Sequence, residues 1–166
     1  LNLFAYTGSL GVAAAAGGAL AVTHVDGRRN ALERARANHE LNGLPIDDRS
    51  LFRGNIYTHL PRAIRHGQRF DAVILDPPPK PPRIKGHKPR GQDYSRLARF
   101  ATELLDEGGW LLCFFSRYDQ SREQYEAEVA AAGAGKLQLL WRGSSGDDFP
   151  EANPEAKLRL TAWIKR

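Results

Sequence analysis

Polar or glycine-containing motifs follow several apolar runs in this sequence, and these are the places where chemistry could occur. The most specific is Asp76-Pro77-Pro78-Pro79, directly after the apolar run 70–75. The prolines lack backbone donors and have a fixed φ, so they predict a rigid turn that holds Asp76 and the adjoining carbonyls toward a cleft. Such a cluster of acceptors suits a polar, planar substrate. The alternative is a purely structural proline-rich turn.

A second motif, Tyr6-Thr7-Gly8-Ser9-Leu10-Gly11, follows the apolar residues 1–5, and an acidic residue, Asp26, stands 18 positions after Gly8. Gly8 can take the positive φ of a sharp strand-to-helix turn, and Gly11 allows a helix to approach a ligand closely. Such a turn places the amides of the helix start beside the ligand. An acid at the end of the next strand is typical of ribose recognition. A mere tight turn and a helix cap are the alternatives.

The sequence indicates a functional role less strongly for the other candidate residues. Asn55 could accept from the exocyclic amine of an adenine or could cap the following helix. Cys113 stands in the apolar run 110–115, so we expect a buried thiol with a raised pKa rather than a nucleophile. The five histidines show no metal-ligand spacing, and we expect no metal site.

Basic residues are concentrated after the Asp-Pro-Pro motif. Residues 77–100 carry seven cations and one anion, whereas the whole chain has a net charge of +5. A basic patch on a nearly neutral body indicates a polyanionic partner such as nucleic acid, unless it is only a solvated loop. The candidate nucleic-acid contacts are Lys80, Arg83, Lys85, Lys88 and Arg90.

Strand-like and helix-like segments alternate along the chain. Strands are predicted over 1–5, 19–25, 50–53, 70–75, 110–115, 137–141 and 158–164, and helices over 30–41, 56–66, 96–105 and 120–132, with a turn at Glu107-Gly108-Gly109. An alanine-rich segment follows the first strand. This order predicts an α/β fold of the Rossmann-like type: a mostly parallel sheet with helices on both faces. The last two strands lack a helix between them, so we expect an antiparallel pair at the sheet edge.

Length and composition predict one domain over residues 1–166. The single cysteine excludes a disulfide framework, and no run is long enough to span a membrane. We therefore expect a cytoplasmic protein. The sequence has no methionine and opens on a strand, so we expect a segment upstream of residue 1. The sequence does not indicate an oligomeric state.

Taken in order, the motifs Asn2-Leu3-Phe4-Ala5-Tyr6-Thr7-Gly8, Val25-Asp26, Leu41-Asn42-Gly43-Leu44 and Leu75-Asp76-Pro77-Pro78 resemble a known family. The family is that of the class I S-adenosylmethionine-dependent methyltransferases. More narrowly, the chain resembles the large-subunit ribosomal RNA base methyltransferases that make 5-methylcytosine or 7-methylguanine. The resemblance runs from residue 1 to the end and implies S-adenosylmethionine as cofactor and RNA as partner. The family commonly has an upstream RNA-binding domain, and we expect residues 1–166 to hold the catalytic domain alone.

The resemblance also implies roles for individual residues. The cofactor would be held by Phe4, Tyr6, Thr7, Gly8, Gly11, Asp26, Asn55 and Asp76, and methyl transfer would take place at Asp76, Pro77 and Pro78. The family usually has Asp at position 55, and its 5-methylcytosine branch carries a cysteine where this chain has Ser116. Two alternatives stay open: an RNA-binding module that keeps the fold without turnover, and a nicotinamide-dependent oxidoreductase. The absence of Gly-x-Gly-x-x-Gly counts against the second.

Overall fold

The computed structural model describes residues 1–78, 93–116, 120–146 and 158–166, and every structural statement below concerns these residues. The strands are β1 (Asn2–Leu3), β2 (His24–Asp26), β3 (Leu51–Arg53), β4 (Phe70–Leu75), β5 (Leu105–Phe115), β6 (Leu137–Ser144) and β7 (Arg159–Lys165). The helices are α1 (Ser9–Ala16), α2 (Arg29–Leu41), α3 (Ile56–Arg65), α4 (Tyr94–Leu104) and α5 (Arg122–Ala132), with a short 3-10 helix at Asp48–Ser50.

The seven strands form one sheet in the order β3-β2-β1-β4-β5-β7-β6. The first five strands are parallel, and β7 runs antiparallel to both β5 and β6. The predicted α/β fold and the antiparallel closing pair are confirmed. From β1 the chain builds outward through β2 and β3 and then returns to β4 on the other side of β1. A ligand crevice therefore belongs at the carboxyl ends of β1 and β4.

The two faces of the sheet are covered by different helices. Leu3 faces the hydrophobic core that α3, α4 and α5 build, together with Leu75, Leu111 and Phe115. The preceding residue, Asn2, is also buried, but its side chain meets His24 on the α2 side. Side chains of successive strand residues point to opposite faces, so this alternation lets β1 carry one apolar and one polar buried contact.

The predicted limits of three strands are wrong. β1 ends at Leu3 rather than residue 5, because Phe4 takes a positive φ of 57° and leaves the extended conformation. β2 begins at His24 rather than residue 19, since its neighbours offer only two and three residues for pairing. The turn predicted at 107–109 lies inside β5, whose pairing with β4 shifts register nearby while Gly108 takes a φ of 77°. Among the described residues, no helix is long and apolar enough to cross a membrane.

Candidate functional site

The carboxyl ends of four parallel strands bring most of the predicted site residues to one rim of the sheet. Leu3 pairs with Val25 of β2 on one side and with Leu75 of β4 on the other. The residues that follow these three, Phe4, Asp26 and Asp76, are therefore neighbours at the point where the strand order reverses. Asn55 stands two residues beyond Arg53, which pairs with Asp26. We call these strand ends and the loop 4–8 the switch-point rim.

The loop that follows β1 has an unusual backbone. Phe4 and Tyr6 take positive φ values of 57° and 50°, and Gly8, the N-cap of α1, takes 79°. A left-handed conformation costs a non-glycine residue about 1–3 kcal/mol and persists only where the surroundings enforce it. Here the amide of Ala5 donates to Val25 O at 3.1 Å. The side chain of Asn38 holds Thr7 O at 2.8 Å.

Asp26 supports this loop through both of its carboxylate oxygens. The amide of Tyr6 donates to Oδ2 at 2.9 Å and the amide of Arg28 donates to Oδ1 at 2.9 Å. The Arg28 guanidinium also lies over the Tyr6 ring at 4.7 Å. Asp26 is buried, and each carboxylate oxygen can accept a second hydrogen bond. Asp26 therefore joins the loop to the start of α2 and can still accept from a ligand.

Gly8 at the end of the loop and Gly11 in α1 both lie against His24. A Cβ at Gly8 would lie 2.7 Å from Ala35 Cβ of α2, and a Cβ at Gly11 would lie 2.2 Å from His24 Cε1. The positive φ predicted for Gly8 is confirmed. The close approach at Gly11 is to this imidazole, so the absence of a side chain there lets α1 pack on β2.

His24 belongs to a buried polar chain that the sequence analysis missed. Asn2 Nδ2 lies 3.2 Å from His24 Nδ1, and His24 Nε2 lies 3.0 Å from His39 Nε2. Burial, together with the neighbouring His39, lowers the pKa of His24 to about 4. Nothing in the spacing of residues 24 and 39 indicates this pair. Only the packing of α2 on β2 brings the two rings together.

Asn55 is the N-cap of α3, which confirms the capping interpretation. Its Oδ1 accepts from the amide of Tyr57 at 2.8 Å, and the residue is exposed. A hydrogen bond from the Asn55 side-chain amide is not formed within the described part of the chain. A contact between Asn55 and adenine stays a prediction.

Asp76 lies at the end of β4 in a half-buried position, followed by the buried Pro77 and the exposed Pro78. Burial raises the pKa of its carboxyl. No described residue forms a hydrogen bond or an ion pair with this carboxylate. A desolvated acceptor without a protein partner is available to a ligand and is a stronger base than an exposed aspartate.

The predicted nucleic-acid contacts Lys80, Arg83, Lys85, Lys88 and Arg90 and the third proline, Pro79, lie outside the described residues. Cys113 is fully buried, and burial raises its pKa to about 12, which confirms that it packs as a small hydrophobe. Within the described ranges, no group of three or more His, Cys, Asp or Glu side chains could hold a metal ion.

A parallel sheet with a switch-point rim and an acid at the end of β2 is typical of nucleoside-binding α/β proteins. The sequence matches a profile of the S-adenosylmethionine-dependent methyltransferases over residues 1–164, and the chain belongs to this family. This match confirms the predicted methyltransferase family and its cofactor, S-adenosylmethionine. The alternative of a nicotinamide-dependent oxidoreductase loses its support.

Individual relatives agree with this assignment. The ribosomal RNA large subunit methyltransferase I of Aeromonas salmonicida is 35% identical over 153 residues, covering 90% of this chain and 39% of that protein. The Photobacterium profundum protein of the same name is 35% identical over 160 residues, covering 93% and 40%. The chain thus spans about two fifths of the length of these relatives.

Solved structures share the fold. The crystal structure of SMU.776 complexed with SAH superposes with a TM-score of 0.85 at 28% identity, covering 98% of this chain and 44% of that chain. The ribosomal protein L11 methylase of Lactobacillus delbrueckii subsp. bulgaricus superposes with a TM-score of 0.64 at 17% identity, covering 99% and 69%. The second likeness concerns the fold alone.

Proposed function

We propose that this protein transfers a methyl group from S-adenosylmethionine to a base of RNA, in the large-subunit ribosomal RNA of the cytoplasm. The observation that carries the proposal is the half-buried Asp76 carboxylate, which has no partner among the described residues, at the switch point of a methyltransferase sheet. The ribosomal RNA substrate rests on the names of the relatives that are 35% identical.

The residues of the rim fit the parts of the cofactor. The loop from Phe4 through Tyr6, Thr7 and Gly8 to Gly11 would surround the amino-acid end, and the Asp26 carboxylate would accept from the ribose hydroxyls. Because Asn55 Oδ1 already accepts from Tyr57, its side-chain amide would donate to an adenine ring nitrogen. When bound, S-adenosylmethionine supplies an electrophilic methyl group on sulfur.

The chain itself contributes mainly orientation and a proton acceptor. Asp76 would accept a hydrogen bond or a proton from the target base, which its raised pKa favours. Pro77 and Pro78 would hold the backbone carbonyls beside it, since proline fixes φ. Lys80, Arg83, Lys85, Lys88 and Arg90 would neutralise phosphates next to a base that is single-stranded or flipped.

Methyl transfer from labelled S-adenosylmethionine to protein-free large-subunit ribosomal RNA tests this function. We expect Asp76→Asn to lower kcat by about 100-fold or more, because the substitution removes the proton acceptor but keeps the shape of the side chain. Asp71→Asn is the matched control: it changes an exposed carboxylate on the same strand, away from the rim, and should transfer methyl groups at the unmodified rate.

Calorimetric titration with S-adenosylmethionine separates chemistry from binding. If the Asp76→Asn substitution slows the methyl-transfer step itself, the variant should still bind the cofactor. An unmodified protein that binds S-adenosylmethionine and RNA but transfers no methyl group would contradict the proposal and favour the non-catalytic RNA-binding module.

A further inference from the structure

A second basic region lies in the described part of the chain, away from the loop after β4. Residues 49–70 contain five arginines and no aspartate or glutamate. Two of them, Arg62 and Arg65, lie on α3, and Arg49 lies in the 3-10 helix that precedes the edge strand β3, while Phe52 of β3 and His59 of α3 contact each other. We call this set the α3 edge surface, and its members are Arg49, Phe52, His59, Arg62 and Arg65.

The cations of this surface are exposed and unpaired. Arg49, Arg62 and Arg65 are all exposed, and no described carboxylate forms an ion pair with any of them. The two acids nearest to Arg49 in sequence are already engaged: Asp48 pairs with Arg36, and Asp47 accepts from the amide of Arg49. The guanidinium groups are therefore available to an anion from outside the chain.

The aromatic members add a second kind of contact. The rings of Phe52 and His59 lie 4.6 Å apart at an interplanar angle of 46°, and Phe52 is 42% exposed. Burial and the nearby Arg62 lower the pKa of His59, so near neutral pH this ring offers an uncharged face. An exposed aromatic face among arginines is typical of surfaces on which RNA bases stack.

Protection of a sheet edge does not account for this set. Charged residues on an edge strand discourage pairing with another sheet, but Arg62 and Arg65 lie on α3 rather than on the strand. The opposite edge strand, β6, is not protected in this way: it exposes Leu140 and Trp141, and its Arg142 pairs with Glu126 of α5. α5 carries three glutamates and one arginine, whereas α3 carries two arginines and no acid.

The surface is joined to the proposed catalytic site by β3 and α3, but its arginines lie away from the rim: Arg49 precedes β3, and Arg62 and Arg65 lie in the C-terminal half of α3. β3 leads directly into Asn55, and α3 begins at the rim and extends away from it over ten residues, a length of about 15 Å. Arginine matches phosphate geometry better than lysine does, and every lysine or arginine in residues 49–70 is arginine.

We propose that the α3 edge surface binds single-stranded RNA that extends from the base to be methylated along α3 and away from the rim, with Arg49, Arg62 and Arg65 on phosphates and a base stacked on Phe52 and His59. This inference rests on the proposed function and adds to it a second RNA-binding element besides the loop after β4.

The test compares two triple variants of equal charge change. Arg49→Gln/Arg62→Gln/Arg65→Gln removes the surface cations but leaves the rim intact. Arg34→Gln/Lys136→Gln/Arg166→Gln removes three exposed cations elsewhere. Binding of a fluorescein-labelled 20-nucleotide RNA is measured as a function of salt. The salt slope is the slope of the logarithm of the binding constant against the logarithm of the salt concentration. Loss of three phosphate contacts should reduce its magnitude by about 2 and weaken binding about tenfold in the surface variant, because each contact releases counterions.

Phe52→Ala provides an independent readout. Loss of a stacking face should weaken RNA binding about five- to one-hundredfold without changing the salt slope. Calorimetric titration with S-adenosylmethionine should give unchanged cofactor affinity for all variants, which verifies that they fold. In methyl transfer, the surface variant should raise KM for RNA and keep kcat at saturating RNA.

The outcomes separate this inference from the proposed function. The unmodified protein could methylate RNA while the surface variant keeps the salt slope and KM of its charge-matched control. This result would contradict RNA binding by the α3 edge surface and would leave the proposed function supported. If the surface variant loses affinity for vesicles of anionic phospholipid but not for RNA, the surface belongs to a different partner. An unmodified protein without methyl transfer to RNA overturns both.

Discussion

At the scale of single residues, a buried histidine supports the end of the loop 4–8 and the start of α1. His24 is fully buried, contacts Gly8 and Gly11 from below and forms hydrogen bonds with Asn2 and His39. The short Nε2–Nε2 separation requires one ring to donate and the other to accept. Burial lowers the pKa of both rings, so both are neutral in the folded protein near pH 7.

This neutral pair predicts that the protein loses stability in mild acid. The pKa of His24 falls from an ordinary value of 6.5 to about 4 on folding. The unfolded chain therefore binds a proton that the folded chain excludes, and stability is lost as pH falls from 6.5 toward 4. Between pH 7 and pH 5 the free energy of unfolding should decrease by about 2 kcal/mol from this group.

Urea denaturation at the two pH values checks the prediction. His24→Gln should show a smaller decrease, whereas His66→Gln, at an exposed position, should behave like the unmodified protein. An equal decrease in His24→Gln would show that the acid sensitivity lies elsewhere.

At the scale of elements, α1 packs closely on β2 because Gly11 has no side chain. An added Cβ there would lie 2.2 Å from His24 Cε1 and 3.0 Å from Val22 Cγ1. The imidazole cannot move aside, because Asn2 and His39 hold both of its nitrogens. The position of α1, and with it the loop 4–8, follows from this contact.

Gly11→Ala should therefore destabilise the protein and weaken its binding of S-adenosylmethionine. Alanine gains about 0.5–1 kcal/mol of helix propensity over glycine, but overpacking a rigid contact costs about 1–3 kcal/mol, so the clash should dominate. Gly54→Ala is the control, since nothing lies within 4 Å of its added Cβ. Equal urea midpoints for the two variants would contradict the account of α1.

At the scale of the whole molecule, a buried polar cluster joins the closing strands to the helices. Thr161 of β7 meets the hydroxyl of Tyr125 at 2.9 Å and accepts from Trp163 Nε1 at 2.8 Å. The Tyr125 ring stacks on Phe115 at 4.2 Å, and Tyr94 packs edge-on against both. The antiparallel end of the sheet is thereby tied to α4 and α5.

Thr161→Val should lower the free energy of unfolding by about 1–3 kcal/mol, because the buried Trp163 Nε1 donor loses its acceptor and the buried Tyr125 hydroxyl loses its partner. Thr102→Val is a matched control: its hydroxyl is also buried, but it donates only to Ala98 O within its own helix. We expect a smaller loss for Thr102→Val, and similar losses in urea denaturation would contradict the role given to the cluster.

Much of the fold followed from local sequence patterns. Apolar runs such as 70–75 and 110–115 predicted buried strands, and the prediction of α2 differed from the observed helix by one residue at its start. The limits of β1 and β2 were wrong because pairing partners and the positive φ of Phe4, rather than strand propensity, end these strands. Asn55 carried two interpretations, and only the cap on α3 could be observed directly.

The sequence by itself determined the class of fold, the family and the positions of Asp26 and Asp76, because strand ends and their polar neighbours are local in the chain. Tertiary structure alone decided that His24 lies beneath Gly11 and that Asn38 holds Thr7. It also decided that Asp26 accepts from the amide of Tyr6 and that the rings of Phe52 and His59 contact each other. These arrangements join residues that are distant in sequence, and their spacing carries no signal until helices pack on the sheet.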